Sequence, residues 1–133
     1  MPEFEPVITA RWGTEGADTI DGYLESGGYG ALRTALDSDP GDLIESVKAS
    51  GLRGRGGAGF PTGMKWDFIP KGGDAPVYVV VNADEGEPGT FKDRELMERD
   101  PHQLIEGIAI TALAVGCRTA FIYMRGEFLH AAR

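Results

Sequence analysis

Apolar positions fall along this chain in two rhythms. From Pro76 to Val81 (Pro-Val-Tyr-Val-Val-Val) they are nearly continuous, β-branched and aromatic, which predicts a strand buried on both faces. Thr119 to Met124 (Thr-Ala-Phe-Ile-Tyr-Met) has the same character and predicts a second buried strand. Between the two, the spacing becomes helical. Leu104, Ile105, Ile108, Ala112 and Leu113 share one side of a helix that Asp100-Pro101 opens and Gly116 closes. Glu106 interrupts that apolar run. A shorter helix is predicted over Lys92 to Arg99, capped by Thr90. Strand, helix and strand at this length predict a parallel pair joined by a right-handed crossover.

Upstream, Asp39-Pro40 gives the same start signal, an N-cap carboxylate followed by proline at the first helical position. The helix it opens turns Leu43, Ile44 and Val47 inward and ends at Ser50-Gly51. Tyr29 to Leu36 predicts a short helix with Leu32 and Leu36 on one face. Residues 1–22 contain Pro2, Pro6, Gly13 and Gly16 without a sustained period, and predict an extended lead-in with little structure of its own. The expected organisation is a lead-in over 1–26 and a single folded unit over 27–133. A chain of 133 residues with 41% hydrophobic content suffices for one core.

Charge narrows the range of partners. A net charge of −8 argues against nonspecific nucleic-acid binding, which needs a basic surface. Cys117, the only cysteine, forms no internal disulfide and cannot alone hold zinc or an iron–sulfur cluster, so no metal site is expected here. No basic stretch followed by an apolar one marks a secretory signal, and Leu104 to Val115 is too short to span a bilayer; a soluble, intracellular chain is expected. His102 and His130 are expected at the surface, Arg94 and Arg99 on a solvated helix face, and Trp12 has no evident partner.

Against this acidic background one run stands out. Leu52 to Trp66 (Leu-Arg-Gly-Arg-Gly-Gly-Ala-Gly-Phe-Pro-Thr-Gly-Met-Lys-Trp) holds five glycines among Arg53, Arg55, Lys65, Phe60 and Trp66. Glycine is costly to order, so a dense cluster implies backbone that must lie close against something. Bare N–H groups with Arg53, Arg55 and Lys65 suit a phosphorylated ligand, and Phe60, Trp66 and Phe68 offer flat faces for a ring. A flexible linker is the alternative, but linkers lack interleaved aromatics. Gly54, Gly56 and Gly59 satisfy the dinucleotide fingerprint G-x-G-x-x-G. That fingerprint needs a strand before it and a helix opening from it; here a helix precedes and Pro61 follows, so its usual role is not expected.

The acidic loop Asn82-Ala83-Asp84-Glu85-Gly86-Glu87-Pro88-Gly89 follows the first strand. Ligands of parallel sheets bind beyond the carboxyl ends of the strands, where Arg125 and Glu127 also fall. Asn82 both donates and accepts, suiting the amide-like edge of a heterocycle, while carboxylates accept from ribose or ribityl hydroxyls and repel an added phosphate. The alternative for Glu85 and Glu87 is a solvated turn that caps the next helix.

Ser50 to Trp66, taken with Asn82 to Arg94, Pro101 to Gly107 and Tyr123 to Glu127, closely resembles, block by block and in order, the FMN/NADH-binding flavoprotein family of respiratory complex I, NADH-quinone oxidoreductase. The resemblance covers about residues 27–133, as the N-terminal part of an FMN/NADH-binding domain. It implies an α/β fold: a Rossmann-like parallel βαβ core with a glycine-rich FMN-binding loop preceded by helices. It implies FMN and NADH in one cavity, a hydride passing from NADH to flavin N5, and electrons leaving singly through iron–sulfur clusters towards quinone. Carried over by matching motif, Gly54, Arg55, Gly56, Gly57, Ala58 and Gly59 line the flavin, and Lys65 neutralises its phosphate or reduced ring. Asn82 and Asp84 bond the FMN, and Phe60 and Phe68 stack on the NADH adenine. Glu87 meets the adenosine ribose and disfavours NADPH, while Glu85, beside nicotinamide and flavin, is the catalytic candidate.

The same module occurs in NAD-reducing hydrogenases and NAD-dependent formate dehydrogenases. Family members continue further, with a Gly-Glu-Glu segment, another stacking aromatic and four cysteines for a 4Fe–4S cluster, none of which this sequence contains. The chain is thus expected to be part of a longer protein, or else an inert truncated fragment acting only in interactions. Implied partners are NADH and the other subunits of a multi-subunit oxidoreductase, including a 2Fe–2S thioredoxin-like one. The implied location is cytoplasmic, in the peripheral arm of a membrane-bound complex, without direct membrane insertion.

Overall fold

A computed structural model describes residues 5–133. Its elements are α1 (Ile20–Glu25), α2 (Gly30–Leu36), α3 (Pro40–Ala49), α4 (Thr62–Asp67), β1 (Tyr78–Ala83), α5 (Lys92–Arg99), α6 (Pro101–Val115) and β2 (Thr119–Met124). The class is α/β, as expected. β1 and β2 run parallel in register from Tyr78 opposite Thr119 to Ala83 opposite Met124. α6 connects them and packs against both strands and all five other helices.

The start and stop signals of α3 and α6 fall where proline and glycine direct. Pro40 and Pro101 open the helices, and Gly51 (φ 68°) and Gly116 (φ 70°) follow their ends in the left-handed region. The carboxylates before the prolines do not cap, however: neither Asp39 nor Asp100 accepts from its helix through its side chain. Asp100 faces inward instead and takes two bonds from Arg11, from Nε at 3.0 Å and Nη2 at 2.6 Å.

The lead-in expectation needs correction. Residues 1–4 lie outside the described residues, but 20–25 are the helix α1, capped by Thr19, whose hydroxyl oxygen accepts from the Gly22 N–H at 3.2 Å. This segment is tied to α6 by more than Arg11. Tyr23, 2% exposed, donates through its hydroxyl to Glu106, and the Arg11 guanidinium sits 4.1 Å above the Tyr23 ring. Glu106 also accepts from the backbone N–H of Tyr29 (3.0 Å) and Leu32 (2.9 Å), the first turn of α2. The charge that interrupts the apolar run of α6 is therefore a buried cap for a different helix. Burial alone would raise the Glu106 pKa; the bonds from Tyr23 and the α2 backbone outweigh it and hold the carboxyl below its ordinary value. Burial and the bond to Glu106 push Tyr23 up to about 12. His102 is half-buried rather than at the surface, 2.9 Å from the Tyr29 hydroxyl through Nδ1. Trp12 does have a partner, the Arg99 guanidinium 5.4 Å over its ring.

Both strands are less covered than their composition predicts. Val80 and Phe121 are 64% and 54% exposed, and neither strand is buried on two faces. α4 was hidden by the glycines around it. It opens immediately after Pro61, so a helix does follow the G-x-G-x-x-G run, while no strand precedes it. Gly63 lets α4 touch α3: a Cβ there would lie 2.6 Å from the Lys48 backbone nitrogen. The Lys48 ammonium joins the two helices through Asp67 at 2.8 Å.

Candidate functional site

The glycine loop and the β1 tip face each other across an open cavity of about 770 Å³. One wall is Arg55, Gly56 and Gly57; the other is Asn82, Asp84, Glu85, Gly86 and Glu87, with Thr90, Lys92 and Asp93 from the start of α5. Two stretches some thirty residues apart in sequence thus meet at the carboxyl end of β1, where the end of the hydrogen-bonded ladder leaves polar groups open.

On the loop side, Cβ atoms built at Gly56, Gly57 or Gly59 would meet no protein atom within 4 Å. Gly57 (φ 105°) and Gly59 (φ 61°) hold a backbone that side-chain-bearing residues rarely adopt. At Gly56 neither packing nor conformation within the chain demands glycine.

On the opposite side, Asn82 accepts from the Asp84 N–H through Oδ1 at 3.2 Å, which turns the chain sharply at the strand end. The Asp84 carboxylate lies against Gly86, where a Cβ would come within 2.8 Å of Oδ2. Glu85 is half-buried and has φ 50°, a strained conformation for a non-glycine residue. Its carboxylate accepts from the N–H of Asp93 (2.7 Å) and Arg94 (3.1 Å), so Glu85 caps α5 from seven residues before the helix starts. Thr90, the expected cap, instead donates its hydroxyl to the Glu87 carbonyl at 2.6 Å.

The remaining candidates stand off this wall. Gly54, Ala58 and Gly59 belong to the loop but do not line the cavity. Phe60 and Phe68 form a pair with ring centroids 6.0 Å apart, 44% and 68% exposed. Lys65 is exposed on α4. Arg125 and Glu127 pair with each other at 3.2 Å and stay apart from the cavity. Lys92 and Asp93 on the wall were missed by sequence reasoning; their position in the first turn after the acidic loop is the signal that marks them. A second hollow of about 730 Å³ lies at the amino ends of the strands, between Ile44, Trp66, Ile69, Tyr78 and Val115, with Lys71, Asp74 and Arg118 also on its walls.

A βαβ unit with a glycine-rich loop opposite strand-tip carboxylates places the chain among α/β proteins of Rossmann-like build. The family follows from comparison: residues 47–133 match the Nuo51 FMN-binding domain, and the chain belongs to that family. It is 56% identical over 131 residues to an NADH-quinone oxidoreductase subunit of Rhizobium meliloti and 58% over 122 residues to the corresponding NADH-quinone oxidoreductase subunit of Streptomyces coelicolor. These alignments cover 98% and 92% of this chain but only 31% and 27% of the relatives, so the chain spans less than a third of their length. A solved structure of an NAD+-reducing NiFe-hydrogenase is also similar, with TM-score 0.73 and 38% identity over 96% of this chain and 20% of that one. No helix among the described residues is long and apolar enough to cross a membrane.

Proposed function

We propose that residues 27–133 are the N-terminal part of the FMN/NADH-binding domain of an NADH dehydrogenase flavoprotein, the complex I component that oxidises NADH. The observation that carries this reading is the unfilled space above Gly56 and Gly57, set opposite Asn82, Asp84, Glu85 and Glu87. These residues fit a flavin mononucleotide: glycine backbone for a flat ring, Arg55 for charge, and an amide and carboxylates for ring edge and ribityl hydroxyls. FMN, when bound, supplies hydride acceptance from NADH and single-electron release.

The chain's own part is binding, orientation and exclusion. The Asn82 carbonyl oxygen is engaged by Asp84, which presents the amide NH₂ outward as donor. Glu85, fixed by two backbone donors, places negative charge at the cavity wall and is the catalytic candidate beside the nicotinamide. Glu87 stands exposed at the rim, where its carboxylate accepts from ribose hydroxyls and repels a 2′-phosphate. Phe60 and Phe68 offer the stacking faces for adenine, and Lys65 the counter-charge to phosphate or reduced flavin. The other subunits of a multi-subunit oxidoreductase, one of them a 2Fe–2S thioredoxin-like protein, would complete electron transfer in a peripheral arm on the cytoplasmic face. A 4Fe–4S cluster would come from a portion of the protein beyond these residues.

The test is spectroscopic. The purified full-length protein should show flavin absorbance bleached by NADH and poorly by NADPH; a colourless protein indifferent to NADH overturns the reading. The NAD+-reducing hydrogenase likeness supports a second host for the same module. Co-purifying proteins separate the two: quinone-reducing partners or a NiFe component.

A further inference from the structure

Arg53 looks from sequence like one more cation for a phosphate, but its geometry differs from that of Arg55 two residues on. Leu52 to Gly54 and Phe60 to Thr62 run side by side. Gly54 N–H donates to the Phe60 carbonyl at 2.8 Å, Thr62 N–H donates to the Leu52 carbonyl at 2.9 Å, and Arg53 and Pro61 form an antiparallel bridge. The Arg53 guanidinium donates through Nη1 to the Gly59 carbonyl at 3.1 Å, across the same neck. Arg55 to Gly59 project beyond this neck as a tip, and a Cβ at Gly56 or Gly57 would meet no other part of the chain within 4 Å. Arg55 lines the cavity and Arg53 does not.

We propose, resting on the mononucleotide reading above, that Arg53 is a positioning residue that clamps the neck of the glycine loop, and does not bind the cofactor's phosphate. A loop of glycines carries the largest conformational entropy to be lost on binding, so a contact that orders it beforehand raises affinity without touching the ligand. The tip is exposed from Arg55 to Ala58, the hydrogen bonds that hold the loop lie at the neck, and Arg53 is the side chain that bonds across it.

The experiment uses the full-length protein and Arg53→Gln, titrated with FMN and with riboflavin, which differ only in the phosphate. A clamp predicts that both affinities fall by the same factor, about fivefold to tenfold, with their ratio unchanged. A phosphate ligand would weaken FMN and leave riboflavin alone, and that result, or no change in either, overturns the proposal. Amide exchange on the flavin-free protein gives the second readout. Gly54 and Thr62 should exchange faster in the variant while β1 is unaltered; equal rates, or faster exchange throughout β1, also overturn it. A wild-type protein that binds neither flavin refutes the mononucleotide reading instead, and the exchange measurement then still decides whether Arg53 is a clamp.

Discussion

Glu106 and Glu85 each reach across the chain to hold the start of a helix that lacks a capping side chain of its own. Glu106, on α6, receives the first turn of α2 and the Tyr23 hydroxyl and is 7% exposed. Glu85, in the loop after β1, receives the first turn of α5, sits half-buried on the cavity wall and does so with a left-handed backbone. The first is enclosed by its own protein partners. The second accepts two backbone N–H groups but keeps a face open; a left-handed non-glycine residue stands at both places, Tyr29 (φ 59°) at the start of α2 and Glu85 (φ 50°) itself. Capping alone therefore does not distinguish structure from function. Nor does a left-handed backbone, since both places have one; enclosure is what separates them.

The largest effect should come from the enclosed member. Glu106→Ala orphans three donors in the interior and should cost about 3 kcal/mol, measured by denaturant unfolding, with the segment before α3 becoming the first site of limited proteolysis. Should it cost no more than Glu85→Ala, burial is not what separates the two carboxylates. The same residue sets an acid limb. Its folded pKa lies below the ordinary 4.5, so its contribution is complete above that value and is lost as pH falls through the lower folded one. Glu106→Ala should flatten that limb. Tyr23 works in the opposite sense: pushed from 10.0 to about 12, its contribution is present below pH 10 and lost as pH climbs towards 12.

Next in size is a change at the open rim. Glu87→Gln removes a charge that nothing inside the chain needs. It should raise NADPH use relative to NADH about tenfold in steady-state assays of the full-length protein, with stability unchanged. An unchanged ratio removes Glu87 from that role. The smallest effect sharpens the comparison most. Glu85→Ala should cost about 1 kcal/mol for the lost cap, whereas Glu85→Gly should cost close to nothing, because relief of the left-handed backbone offsets it. Equal losses in chemical denaturation would show that the φ of 50° stores no strain.

Much of this fold was legible because its punctuation is local. Proline at Pro40 and Pro101 and glycine at Gly51 and Gly116 act within one turn of backbone, and the helix boundaries follow. The two strands were visible in their β-branched composition, but their exposure was not, since composition reports what a strand can bury and not what surrounds it. α1 and α4 were missed for a shared reason: each is six residues long with a glycine inside, and is held by tertiary contact, Tyr23 for one and the Lys48 backbone for the other. At the site, the glycine loop and acidic loop announced themselves by composition, and the structure brings Arg55, Gly56, Gly57, Asn82, Asp84, Glu85 and Glu87 to one cavity. Asp100 was read as a helix cap and Glu106 as an interruption of an apolar run, because local patterns cannot show that each answers a partner some eighty residues away.

The contact at Gly63 has a consequence for residues it never meets. Where α4 meets α3, a Cβ at Gly63 would strike the Lys48 backbone as well as its side-chain stem, and the backbone has no rotamer with which to make room. Lys65 and Phe68 ride on that short rod as fittings on a lever. A single methyl group added at its fulcrum would displace both together, although neither residue had been altered.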